Sequence, residues 1–133
     1  MNFLVCEDGS EYTERFQRFL GGEFHFARAG HFAEALALAP QAGALLLDLD
    51  FHRTPRALLV DESGAPAAGC AEVQGILLLR ALRSRGVRLP ALLFADLDDP
   101  LRAAQLEKEL APLQIVSSAE GLPQIAVLLR RVV

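Results

Sequence analysis

The chain alternates short apolar runs with longer stretches in which apolar residues recur every three or four positions. Asn2 to Cys6 is apolar until it ends abruptly in Glu7–Asp8 and Gly9–Ser10, which predicts a buried strand with Ser10 as N-cap of the next helix. From Glu11 to Leu20 the residues Tyr12, Phe16, Phe19 and Leu20 fall at helical spacing, and Gly21–Gly22 supplies a stop. Glu23 to Arg28 alternates polar and aromatic residues through Phe24 and Phe26, as a strand near a sheet edge does. Gly30 then precedes a helical stretch from His31 to Leu38 that Pro40 closes. Ala44 to Leu49 is the most apolar run of all, which predicts a central strand buried on both faces.

Phe51 to Gln74 differs in character, combining Pro55, Pro66, Gly64 and Gly69 with the small-residue run Ala65 to Cys70 around an apolar island, Ala57 to Val60. It reads as a long insert in loop form, with a hairpin across Asp61 to Gly64; such length suits a lid or a binding surface. Regularity resumes with a helix from Ile76 to Arg85 ended by Gly86, a strand from Ala91 to Ala95, and a helix from Leu101 to Leu110 entered through Asp98–Asp99–Pro100. A short strand from Leu113 to Val116 and a helix from Leu122 to Val133, striped by Leu122, Ile125, Ala126, Leu129 and Val132, complete the pattern. Five strands alternating with five helices select a doubly wound α/β fold with a five-stranded parallel sheet, since right-handed parallel crossovers require the helices between strands. Function in such sheets sits at the carboxyl ends of the strands.

With 133 residues, 52% of them hydrophobic, residues 1–133 fit one domain with one core. The formal charge of −4 and the scattered basic residues argue against nucleic acid as a partner. No basic leader precedes the first apolar run, and no stretch approaches a membrane span, so a cytoplasmic location without membrane attachment is expected. Cys6 and Cys70 lack metal-ligand spacing and read as free thiols. Of the histidines, His25 and His31 read as surface residues, and His52 as a loop residue within reach of the third strand's end. Arg80, Arg83, Arg85 and Arg88 read as a solvated helix face.

The carboxylates carry the candidate chemistry. The pattern puts Glu7 and Asp8 after the first strand, Asp48 and Asp50 at the end of the third, and Asp96 after the fourth, all on one sheet edge. Converging anionic oxygens either recruit a hard divalent cation or force a proton onto one member. At these residues the chain resembles the receiver domain of two-component response regulators, the flavodoxin-like (βα)5 fold of single-domain chemotaxis regulators. Phe-Leu-Val-Cys-Glu7-Asp8 is similar to that family's strand and acidic pair, and Leu-Leu-Leu-Asp48-Leu-Asp50 to its phosphoacceptor strand. Gly75-Ile-Leu-Leu-Leu-Arg and Leu-Pro90-Ala-Leu-Leu-Phe are similar to the helix and strand that follow.

The resemblance implies that Asp48 is the phosphoacceptor, that Glu7, Asp8 and Asp48 with the Asp50 backbone carbonyl hold Mg2+, and that the partner is a histidine kinase or an effector. A homodimer through the faces around the last two strands is a further arrangement it implies. Two positions depart from the family pattern. Ala95 stands where its fourth strand ends in a Thr or Ser hydroxyl, and Ser117 where its fifth ends in a lysine. Gln114 takes the place of its aromatic switch residue. Without the lysine no fixed cation offsets an aspartyl phosphate, so the expectation is a pseudo-receiver, a signalling module rather than an enzyme, with phosphorylation at Asp48 as the alternative. Asp48-Leu-Asp50-Phe-His52-Arg-Thr54 also resembles, loosely, the nucleophile motif of haloacid-dehalogenase phosphatases, and that reading stays open as a remote one.

Overall fold

The structure, a computed structural model, describes residues 1–132. Its elements run β1 (Asn2–Cys6), α1 (Glu11–Leu20), β2 (His25–Ala29), α2 (Phe32–Leu38), β3 (Ala44–Asp48), α3 (Gln74–Ser84), β4 (Ala91–Phe94), α4 (Pro100–Glu109), β5 (Leu113–Val116) and α5 (Leu122–Val132). The strands form one parallel sheet in the order β2-β1-β3-β4-β5, so β3, the most apolar strand, is central and β2 lies at an edge. Residue 133, the last of the expected final helix, lies outside the described residues.

The boundaries that differ from expectation do so for local reasons. The β2 strand begins at His25 because the Glu23 and Phe24 amides still donate to Leu20 O at the exit of α1, at 3.1 and 3.0 Å. In α2, His31 is the cap rather than the first turn, its Nδ1 accepting from the Glu34 amide at 3.4 Å. Asp99 caps α4 as its position predicts, accepting from the Leu101 amide at 2.9 Å with Pro100 in the first turn.

Alternation along the strands divides the core between the sheet's two faces. Phe3, Val5, Leu46 and Phe94 pack with Phe16 of α1 and Ile125, Leu128 and Leu129 of α5. Leu4, Cys6, Leu45 and Leu47 pack with α2, α3 and Leu106 of α4. Leu128 is a member of the α5 stripe that the spacing did not single out. Both cysteines are free, and burial first, then the Glu7 charge, pushes the Cys6 thiol up to about 12.

The connection from β3 to α3 is packed. It holds two 3-10 turns, Arg56–Leu58 and Ala71–Val73, and an antiparallel bridge between Val60 and Pro66 around the expected turn. Gly64 sits there at φ +86° and its amide donates to Asp61 O at 3.0 Å. Phe51 is fully buried, the Thr54 hydroxyl donates to Gly30 O at 2.9 Å, and the buried Gln74 side chain brackets Val60, accepting from its amide and donating to its carbonyl at 2.9 Å each.

Of the arginines of α3 and the turn after it, Arg85 and Arg88 are exposed as expected and Arg80 is half-buried, but Arg83 is not part of a solvated face. Arg83 is buried, and its guanidinium donates to the carbonyls of Leu110, Val87, Leu89 and Pro112 at 2.8–3.1 Å. Arg85 donates to Ser63 O and lies over the Phe32 ring, Arg80 pairs with Glu109, and Arg88 donates to Arg83 O. The reason is geometric: Ile76, Leu78, Leu79, Ala81 and Leu82 bury most of the circumference of α3, and the position of Arg83 turns inward with them.

Candidate functional site

The carboxyl ends of β1, β3 and β4 bring together Glu7 and Asp8, Asp48 and Asp50, and Ala95 and Asp96. Glu7 is buried at 1% exposure and its carboxylate caps α1. Oε1 accepts from the Tyr12 amide at 3.1 Å, and Oε2 accepts from the Thr13 amide at 2.8 Å and the Thr13 hydroxyl at 2.6 Å. The helix N-terminus, rich in unpaired N–H groups, thus has an anion supplied by Glu7, three positions before Ser10. Ser10 occupies the N-cap position but makes no side-chain cap; its hydroxyl donates to Glu14 at 3.1 Å.

Asp8 is met by Arg53, a residue that sequence reading did not single out. The Arg53 amide donates to Asp8 Oδ2 at 2.9 Å and its guanidinium to Oδ1 at 3.2 Å, while two further guanidinium bonds of 2.7 Å reach Glu11. That ion pair holds the Glu11 carboxyl down at about 2. Arg28 donates to the backbone carbonyls of Asp8 and Gly9.

Asp48 makes a single side-chain hydrogen bond among the described residues. Its Oδ1 accepts from the adjacent Leu49 amide at 2.9 Å. Burial raises its carboxyl from 3.8 to about 6 against that bond, helped by the charges of Asp50, Asp8 and Glu7. The α3 N-terminus packs directly on this strand end: the Gly75 amide donates to Leu49 O at 2.8 Å, and a β-carbon at Gly75 would collide with the Asp48 carbonyl oxygen. Tyr12 stacks on Phe94 with ring centroids 5.0 Å apart, and its hydroxyl is pushed up to about 12 by burial first and then by the Asp48 and Glu7 charges.

On the far side, Ala95 is buried and its amide donates to Val116 O at 2.9 Å. Asp96 accepts from the Ser117 hydroxyl and the Ser118 amide at 3.1 Å each, and from the Ser118 hydroxyl. Those bonds, Ser118 foremost, hold its carboxyl below the usual range. Asp50 and His52 are exposed.

A five-stranded parallel sheet in this order, with the acidic residues at its carboxyl edge, superposes on several solved receiver structures. The receiver domain of the Francisella response regulator 1452 matches at TM-score 0.70 and 15% identity, over 98% of this chain and 94% of that one. The Vibrio cholerae chemotaxis protein CheY4 matches at 0.69 and 16%, over 99% and 98%. The chain has the receiver fold. The BeF3-activated receiver domain of Klebsiella pneumoniae RstA shares that fold at TM-score 0.69 and 17% identity, over 98% and 97%. No protein-family model and no curated protein matches the sequence.

In a receiver fold the acidic edge is where a magnesium ion would bind, and the Glu7 and Asp8 donors here do not fit one as they stand. A magnesium ion demands near-octahedral oxygen coordination at about 2.0–2.1 Å. Both Glu7 oxygens are engaged by three donors, both Asp8 oxygens by Arg53, and the Asp8 and Gly9 carbonyls by Arg28. Among the described residues no three of His, Cys, Asp and Glu are grouped to hold a metal ion. No helix among them is long and apolar enough to cross a membrane.

Proposed function

We propose that this chain is a receiver-type module of two-component-type signalling that works mainly through protein–protein contact, in the cytoplasm and without catalysis of its own, with phosphoryl switching at Asp48 impaired. The observation that carries this reading is the knot of Asp96 with Ser117 and Ser118. It fills the end of β5 with an anion and two hydroxyls, at the place where the resemblance calls for a lysine. A phosphoryl group added to Asp48 would meet the negative Asp96 and the apolar Ala95, with no charge-assisted contact to reward a structural change. The partner of such a module is a histidine kinase or an effector protein.

A second reading, phosphorylation of Asp48, is favoured by the state of that carboxylate: its one hydrogen bond among the described residues is the Leu49 amide. One experiment separates the two. The chain is incubated with acetyl phosphate, with and without MgCl2, and followed by intact mass and backbone amide NMR. The proposed function predicts no adduct, or an adduct whose shifts stay beside Asp48. An adduct lost in Asp48→Asn, with shifts spreading through β4 and β5, overturns it.

A further inference from the structure

The acidic pair that follows β1 is satisfied from within the chain, Glu7 by the α1 amides and Asp8 by a cation. Asp8 has a side chain only 4% exposed, and a buried carboxylate needs a counter-charge or a full set of donors. Arg53 supplies both. Its amide takes one carboxylate oxygen and its guanidinium the other, and the same guanidinium forms a two-bond fork with Glu11 in the first turn of α1. Such forked pairing is the strong form of an arginine–carboxylate contact.

Three features fit the guanidinium to this place. A β-carbon at Gly9 would run into the guanidinium, so the turn after β1 leaves room for the plane only because residue 9 is glycine. On either side of Arg53 the chain is fixed, by the buried Phe51 and by the Thr54 hydroxyl on Gly30 O, which keeps the local concentration of the cation high. Arg28, from β2, covers the Asp8 and Gly9 carbonyls. The oxygens of the β1–α1 turn that face this edge are therefore held by two guanidinium groups.

We infer that Arg53 is a resident organic cation that closes the acidic edge to divalent metal ions. A metal ion entering at Asp8 would have to displace the guanidinium and then sit a few ångströms from its positive charge. This inference rests on reading the edge as a receiver-type site, and it concerns cation binding alone.

The test is a titration of the full chain with MgCl2 and MnCl2, in the wild type, Arg53→Met and Gly9→Ala. Heat is one readout. Tyrosine fluorescence is the other, since Tyr12 is the chain's one tyrosine and tryptophan is absent. Arg53 is more than half exposed, so its replacement leaves the core untouched. Arg53→Met is expected to bind Mn2+ about ten-fold more tightly than the wild type, from removal of one positive charge beside a divalent ion. Gly9→Ala, which keeps the charge but dislodges it, should shift affinity in the same direction. Equal affinity in wild type and Arg53→Met, or no binding by either variant, overturns the inference. Because neither donor nor partner is present, its failure leaves the protein-contact reading standing, whereas a magnesium-dependent acetyl phosphate adduct on wild-type Asp48, with shifts spreading through β4 and β5, would overturn both.

Discussion

Replacing Asp48 by asparagine should make the protein more stable at neutral pH, although it removes a charge from the centre of the site. The native carboxyl is held at about 6 against 3.8 for the ordinary group, chiefly by burial and then by three neighbouring carboxylates. A folded pKa above the unfolded one means that the folded state binds the proton more tightly. The contribution of this group to stability is therefore fully present below about pH 3.8 and is lost as pH rises through about 6. The gap corresponds to about 3 kcal/mol if fully expressed, and because the side chain still meets water we take about half, roughly 1.5 kcal/mol. Asparagine keeps an oxygen for the Leu49 amide and carries no charge. Urea unfolding of both proteins at pH 4, 5, 6 and 7.5 should show Asp48→Asn more stable by roughly 1.5 kcal/mol at pH 7.5, with the gain shrinking toward zero near pH 4. An Asp48→Asn protein that is no more stable at pH 7.5, or whose gain is the same at pH 4, refutes the claim that Asp48 is held ionised at a cost.

Two further changes probe the frame around the site. Gly75→Ala drives a β-carbon into the Asp48 carbonyl oxygen; it should cost about 2–3 kcal/mol, read as a lower urea midpoint with an unchanged slope. Arg83→Met abandons four backbone carbonyls and should lower stability by about 3 kcal/mol. Arg83→Lys should recover little of this, because one ammonium cannot reach what a planar fork reaches, and a lysine variant as stable as wild type would show that packing, not the fork, holds the turns together.

Most of the frame was legible because each element declares its burial locally. Leu45, Leu46 and Leu47 are buried on both faces and so appear as an unbroken apolar run, while Tyr12 and Phe16, or Ile125 and Leu129, mark helix faces by their spacing. The positions of Glu7, Asp8 and Asp48 at one sheet edge follow from those strands. Their partners do not. Ser10 has the right chemistry for a cap, but Glu7 reaches the α1 amides first because β1 delivers it to the helix axis. Arg53 meets Asp8 across 45 positions, a contact set by the path of the 51–74 connection, and the only sequence hint is that Phe51 and Thr54 flank it with side chains that can be buried. Arg83 looked like part of a charged run because four arginines occur close together, whereas the surrounding leucines decide its direction.

The strap formed by Arg53 and Thr54 lies over the ends of β1 and β2, at Asp8 and Gly30, and on the other side of β3 lies the rim of β4 and β5. That rim carries Asp96, Asp98 and Asp99, all exposed, on a chain of net charge −4. Electrostatic steering then acts on anything diffusing toward the site. A small anionic phosphoryl donor is repelled at low ionic strength and gains rate as salt is added, while a partner presenting a basic surface is drawn in and loses rate under the same change. The direction of the salt dependence thus becomes a signature of what kind of visitor the molecule is built to admit.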